Sequence, residues 1–338
     1  MLMSLIATLA LAAANPMTDP CRDDDGRNRC AAAEQDRMRK LFGVEPIKAF
    51  ESGTSRRLFY VDGYGNDVVA IHFLRMPGRD PMLTVHFPKT PGEEAIAPLQ
   101  TMLMAEQWQT LLDASENFDR SFAPRKLTKA GTSDDDAVIC LHSWVYWAEA
   151  TDQGKGARSV TDDACNNGPV EQYAWAAVKL ARSAFAHCSA LDLQFSRNDA
   201  TLLRACEGLV GDRLAAAEVF NRGESFRRID SLDSDGGIER FSDWNVVVDY
   251  QGNTAKGPAA RTLWKSLFSA KNPPNFYYDW IKGVDADTVL VSGGLYLSGD
   301  DDKDQIAAVE MRWKKETDRF DLTAIKIGPY KAYTPASE

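Results

Sequence analysis

The sequence predicts an α+β chain. An N-terminal domain of antiparallel sheet plus helices is followed by a second α+β domain with a curved antiparallel sheet. Three observations predict it. Strand-like runs bounded by turn residues recur in both halves, helical stripes stand between them at 170–188 and 198–221, and the long strand over 287–298 is interrupted by Gly293-Gly294. At 338 residues the chain exceeds the length over which one core keeps growing, so two domains are expected. The expected divisions are 1–14, 15–50, 51–197 and 198–334, with the main boundary near Arg197. With 44% hydrophobic residues the chain folds, and 39 Lys+Arg against 49 Asp+Glu leave a net charge of −10. No basic field attracts phosphate, which excludes nucleic acid and anionic membrane surfaces as partners.

Residues 1–14 are apolar and uncharged and end in Ala12-Ala13-Ala14, small residues of the kind a signal peptidase reads. A signal peptide cleaved before Asn15 is expected, which makes the protein periplasmic or secreted. The run is too short to span a bilayer, and no later stretch resembles a membrane span. Six cysteines, an even set with no CxxC pair, fit an oxidising compartment. Loop-closure entropy favours sequential pairing: Cys21–Cys30, Cys140–Cys165 and Cys188–Cys206. With all six bridged, none serves as a nucleophile.

After an Asp-rich turn at 23–26, a helix is expected over 31–42, ended by Gly43 and Pro46. Strands at 57–62, 67–75 and 82–87, separated by Gly- and Pro-rich turns, read as a meander. A turn centred on Arg79 puts Val69, Ile71 and Phe73 on one face with Val85 and Phe87, and sets His72 opposite His86 on the other. A helix is expected over 96–118 and a strand over 137–148, then a polar loop carrying Cys165. Val170, Tyr173, Ala177, Leu180, Ala184 and Cys188 form one helical stripe, and a second helix is expected over 198–221. The short connection between them makes the two antiparallel neighbours, stapled by Cys188–Cys206. Gly208 and Gly211 signal a break or a close contact in the second.

The remaining order is a helix, an Asp- and Gly-rich loop, a strand at 244–250, a turn at Gly252, a helix at 258–270, then strands at 276–282, 287–298, 305–314 and 320–327. This order, with Phe241-Ser242-Asp243-Trp244-Asn245-Val246-Val247-Val248 and the Lys256-Gly257 lead into a helix, resembles the nuclear-transport-factor-two-like cone fold, the superfamily that includes ketosteroid isomerase. The resemblance covers about 199–330. It implies a cone-like α+β domain and carries the expectation of a homodimer through the outer sheet face. It is a pattern of element order and brings no catalytic motif with it.

An antiparallel register that sets Val291 opposite Trp313 also sets Leu295 opposite Val309 and Leu297 opposite Ala307. A turn near Glu316-Thr317 then places Arg312 beside Asp321 and adds Phe320, Leu322 and Ala324 to the apolar face, with Glu310 outside. Gly293-Gly294 reads as the bulge that curves the sheet. The ligand-pocket candidates are Tyr278, Trp280, Val291, Leu295, Met311 and Trp313. Tyr277 and Asp279 replace the first two if the strand has the other parity. Val291, Leu295, Met311 and Trp313 read equally as filled core.

No carboxylate base with oxyanion donors maps onto the concave face, so the catalytic residues are unknown and binding is favoured over catalysis. The leading reading is an exported binding module for a small apolar molecule or a protein partner, with no cofactor. One alternative is an isomerase, dehydratase or hydrolase with Asp249 or Asp279 as base. The other is an envelope protein–protein factor or inhibitor presenting Tyr64, Trp147 and Tyr330. His72, His86 and His142 offer three imidazoles to zinc, though histidines on an outer sheet face are ordinarily solvated, and no metal is assigned. Ser231-Leu232-Asp233-Ser234-Asp235-Gly236 echoes a calcium loop without its closing glutamate, and the Asp runs at 134–136 and 300–302 read as solvated turns. No GxSxG, P-loop, HExxH or dinucleotide fingerprint occurs.

Overall fold

Helix α1 (Arg29–Phe42) stops at Gly43, whose φ of 63° only glycine adopts freely. The Gly43 N–H donates to the Lys40 carbonyl at 3.1 Å and the Val44 N–H to the Arg39 carbonyl at 2.9 Å, a Schellman end. A computed structural model describes residues 29–47, 53–61, 67–89, 97–121, 145–152, 154–163, 169–192, 198–232, 237–268, 274–298 and 304–333. Residues 1–46 form one unit, to which α1 belongs; residues 47–338 form a second that contains both sheets. The boundary expected near Arg197 and the loops at 134–136, 233–236 and 300–302 lie outside the described residues, as do Cys21, Tyr64, Cys140, His142 and Cys165.

The meander forms as its alternation requires, with β1 (Thr54–Val61), β2 (Asp67–Arg75) and β3 (Met82–His86). The sheet continues with β4 (Leu99–Met102), β5 (Val145–Thr151) and β6 (Arg158–Asp163), in the order β4-β3-β2-β1-β5-β6. Val69, Ile71, Phe73, Val85 and Phe87 are buried as expected. The register runs Ala70↔His86 and His72↔Thr84, two residues from the expected one, so the histidines share a face without being opposed.

The helix expected from 96 is corrected. Residues 99–102 are strand β4, with Leu99 against Val85 and Met102 against Met82. Helix α2 (Ala105–Ser121) starts only where Gln107 turns back to accept the Met104 N–H at 2.8 Å, a side-chain cap that fixes the first turn. The apolar residues at 99–103 serve a strand edge and then a helix, which one periodicity cannot show. Part of the loop expected around Cys165 is likewise strand β6.

Helix α3 (Pro169–Ser183) carries the expected stripe, with Val170, Tyr173, Ala177 and Leu180 buried against the sheet. The chain turns extended at Phe185 and resumes as the single turn α4 (Ala186–Ser189). The second helix is broken. It comprises α5 (Asp199–Ala205), a 3-10 turn over Cys206–Gly208, strand β7 (Leu209–Gly211) and the long helix α6 (Arg213–Leu232). Asn198 caps α5 by accepting the Ala200 N–H at 2.8 Å and donates to the Tyr60 hydroxyl at 2.7 Å, which ties α5 to the first sheet. The break that Gly208 and Gly211 signalled is the close approach of β7 to the second sheet. Gly211 has φ +69°, and a side chain there would collide with the Gly283 carbonyl.

The second sheet is built by α7 (Gly237–Phe241), β8 (Ser242–Tyr250), β9 (Asn253–Lys256), α8 (Pro258–Phe268), β10 (Asn275–Asp285), β11 (Thr288–Leu297), β12 (Gln305–Glu316), β13 (Arg319–Ile327) and β14 (Lys331–Ala332). Its order is β7-β10-β11-β12-β13-β8-β9, with β14 on β12; β7 is parallel to β10 and β8 to β13, and the other pairs are antiparallel. From α6 onward the elements follow the expected order, with the short helix α7 and the strands β9 and β14 in addition.

Two registers are corrected. Val289 faces Trp313, Val291 faces Met311 and Leu295 faces Ala307, a two-residue slip from the expected pairing that leaves every side chain on its expected face. Between β12 and β13 a shift at Arg312/Trp313 sets Lys314, not Arg312, opposite Asp321. Beyond it the core face passes to Ile325 and Ile327, and Ala324 lies opposite exposed Arg312. Asp321 is buried instead between Arg222 of α6, at 2.9 Å, and Arg319, at 3.3 Å.

Candidate functional site

The concave side of the second sheet is filled by rings. Phe226 of α6 lies 5.8 Å from Phe241, 5.5 Å from Trp264 and 6.4 Å from Trp313, centroid to centroid. Four of the pocket candidates, Val291, Leu295, Met311 and Trp313, are buried in this packing. Glu310 points outward as expected.

Tyr278 and Trp280 take different places because the bulge is on β10 and not at Gly293-Gly294. Tyr278 pairs with Gly293 and Trp280 with Ser292, which leaves Asp279 as the extra residue, whereas β11 pairs with β12 without interruption. Tyr278 therefore packs inward against Phe276, at 4.8 Å edge to face, and Phe220, at 6.0 Å. Trp280 turns outward and is 39% exposed. The glycines make room for this crossing: a Cβ on Gly293 would strike the Tyr277 carbonyl.

At this bulge β7 covers only part of β10, pairing Leu209 with Ile281 through Gly211 with Gly283. Beside the edge before Ile281 a cleft of about 670 Å³ opens, walled by the turn 204–210 on one side and by Phe220 and residues 278–281 on the other. Its apolar wall is Leu209, Phe220, Tyr278 and Ile281, and Trp280 stands at the mouth. Arg204, paired with Glu207, and Asp279 supply the charges. The turn is pinned from behind by Cys188–Cys206, whose Cα atoms are 5.3 Å apart and whose side chains are buried. This is the expected pairing; Cys30 lies at the start of α1, and its expected partner Cys21 is outside the described residues.

The other expected groups stand apart from the cleft. Asp249 on β8 accepts the Gly252 N–H at 3.0 Å and so closes the β8–β9 turn. Trp147, expected at an exposed face, is buried and stacks on Phe59 at 4.1 Å. Tyr330 is half-buried against the core. His72 lies on the second face of the first sheet, where its Nε2 is 2.7 Å from the Ser55 hydroxyl and where Arg57 meets buried Glu149 at 2.9 Å. Burial, then the Arg57 charge, then His86, lowers the His72 pKa to about 3; burial and Arg57 lower that of His86 to about 4. Both are neutral at neutral pH. Among the described residues, His187, Cys188 and Cys206 bring metal-ligating atoms within 4.8 Å of one another, but the bridge consumes the two thiolates that would ligate.

No family model matches the chain, and no curated protein matches it. Among solved structures it is similar to a nuclear-transport-factor-two-like protein of unknown function from Pseudomonas putida, at 17% identity over 36% of this chain and 97% of that one, TM-score 0.30. It is similar also to an epoxide hydrolase/cyclase-like enzyme of pyran ring formation in the polyether salinomycin, at 14% identity over 36% and 98%, TM-score 0.29. A third is a de novo designed protein with a curved β-sheet, at 11% identity over 33% and 97%, TM-score 0.26.

The sequence points to Tyr278 and Trp280, or with the other parity to Tyr277 and Asp279, and the cleft draws Tyr278, Asp279 and Trp280 from both sets; its opposite wall, Arg204, Glu207, Leu209 and Val210, falls within the stretch whose periodicity predicts one helix. The signal that could have found them is the spacing Cys206, Gly208, Gly211, which places a crosslink and two flexible residues within two helical turns.

Proposed function

We propose that this chain is an exported binding protein that takes a small amphipathic molecule in the cleft between the 204–210 turn and β10. The carrying observation is the contrast between a cone interior occupied by the protein's own rings and a rim cleft of about 670 Å³, within the volume range of small-molecule sites. Its aromatic and aliphatic wall suits a ring or short alkyl face, and Arg204, Glu207 and Asp279 suit a polar end that stays near solvent. The apolar leader-like run, the even cysteine count and the bridge behind the cleft support export into an oxidising compartment. No helix among the described residues is long and apolar enough to cross a membrane.

Native mass spectrometry of the chain, produced with its own first residues and purified gently, tests this reading. The expected result is a species starting at Asn15, lighter than the reduced chain by the hydrogens of three disulfides, with a small molecule that Trp280→Ala and Phe220→Ala release. A chain retaining Met1 with free thiols overturns export. A ligand retained equally by both variants overturns the cleft.

A further inference from the structure

The outer face of the second sheet carries a second aromatic group. Tyr277 alternates with inward Phe276 and Tyr278, so it points outward, and its ring lies over Gly294, where a Cβ would overlap the phenol. Tyr296, two residues further along β11, is on the same face. Tyr333 is brought to it by β14, through Gln305↔Ala332 and the Tyr333 N–H donating to the Asp304 carbonyl at 2.8 Å. The Tyr296 and Tyr333 rings stand 5.4 Å apart at 89°, the edge of one against the face of the other. The Tyr296 hydroxyl donates to Asp304 Oδ2. Tyr277 and Tyr333 are 39% and 43% exposed.

A phenol that gives its hydrogen bond to a carboxylate keeps an electron-rich ring, and in an edge-to-face pair the ring that offers its edge keeps its own faces for a cation. That bond, ahead of burial, raises the Tyr296 pKa; burial, then Asp279 and Tyr333, raises that of Tyr277. The carboxylates of Asp279 and Asp304 and the chain's net charge of −10 add to the field. A small, strongly hydrated cation gains little here because it keeps its water. An anion is repelled. A cation whose charge is spread under methyl groups fits both the apolar ring faces and the sign of the field.

We propose that Tyr277, Tyr296 and Tyr333, with Asp304 behind them, bind a free quaternary ammonium ion of the choline type. None of its three rings lines the rim cleft, although Asp279 borders both.

Choline and tetramethylammonium are titrated into the full chain at low ionic strength, followed by calorimetry and tyrosine resonances. The neutral isostere 3,3-dimethylbutanol and phosphatidylcholine vesicles are run in parallel. Saturable binding of both cations is expected, at least about tenfold tighter than the isostere. Tyr333→Leu should weaken it about five- to tenfold, Tyr333→Trp should retain or tighten it, and Asp304→Asn should weaken it. Phe220→Ala, on the inner wall of the cleft, should leave it unchanged, so this site and the cleft can fail separately. Equal binding of the isostere, no saturation, or capture of vesicles without free choline overturns the proposal. So does choline binding that Tyr333→Leu leaves intact while circular dichroism shows the variant folded.

Discussion

The two sheets bury themselves by opposite means. The first is covered on both faces: one face carries the aliphatic side chains of the shared core, and the other holds Ser55, Arg57, Phe59, Thr84, Trp147 and Glu149, all buried. Among the described residues the second buries its concave side, and its outer face shows Tyr277, Trp280, Glu310 and Arg312 to solvent. A buried polar face must satisfy every group by hydrogen bonds and ion pairs, so its residues are fixed by one another. An open face carries no such obligation, and its residues are available for recognition. The first sheet is therefore expected to govern stability and the second to govern binding.

The largest expected effect breaks the first half of that contrast. Glu149→Ala leaves Arg57 buried without its carboxylate and should cost about 3–5 kcal/mol in denaturant unfolding, whereas Glu310→Ala on the open face should change stability by less than about 0.5 kcal/mol. Equal costs would abolish the distinction between the faces. Within the filled cone, Trp313→Ala should cost about 3–5 kcal/mol and leave a cavity beside Phe226. If that variant instead gains affinity for apolar molecules without loss of stability, the cone is not packed as described. Next, Cys188→Ser with Cys206→Ser should cost about 3 kcal/mol and loosen the cleft wall, read as a lower Tm and weaker ligand retention together.

A smaller and conditional effect comes from pH. His72 and His86 have folded pKa values below their unfolded ones, so the unfolded chain binds more protons and stability falls as pH drops from about 6.5 toward 3–4. His72→Gln should flatten that decline by on the order of 1 kcal/mol at pH 5, measured as unfolding free energy at pH 7 and pH 5. An unchanged slope would mean that this face opens to water before it unfolds.

What the sequence made legible follows the same contrast. Face assignments held wherever alternation was clean: Val69, Ile71 and Phe73, and Val291, Leu295, Met311 and Trp313, all point inward. Their registers did not follow, because a two-residue slide moves no side chain to the other face, and aliphatic partners barely distinguish one neighbour from the next. The bulge at Asp279 was beyond local reasoning, since the room for it is made by glycines on the neighbouring strand. The second face of the first sheet escaped too: Arg57, Glu149 and Trp147 carry the polar or amphipathic signature of a surface, and their burial depends on partners distant in sequence. The cleft is half legible: alternation shows the strand that lines it, while the apolar spacing over 198–221 predicts one helix where the facing turn lies.

The three-residue strand β7 has a consequence for any attempt to isolate the second sheet. By chain order it precedes α6, yet it pairs with β10 and shields residues 281–283, with the Asp212 N–H adding a bond to the Gly283 carbonyl at 2.9 Å. A fragment begun at α6 would contain α6 to α8 and β8 to β14 and would extend the open margin of β10 by residues 281–283. A longer open margin recruits other chains more readily, so this fragment should associate edge to edge more strongly than one begun a few residues earlier, before Leu209.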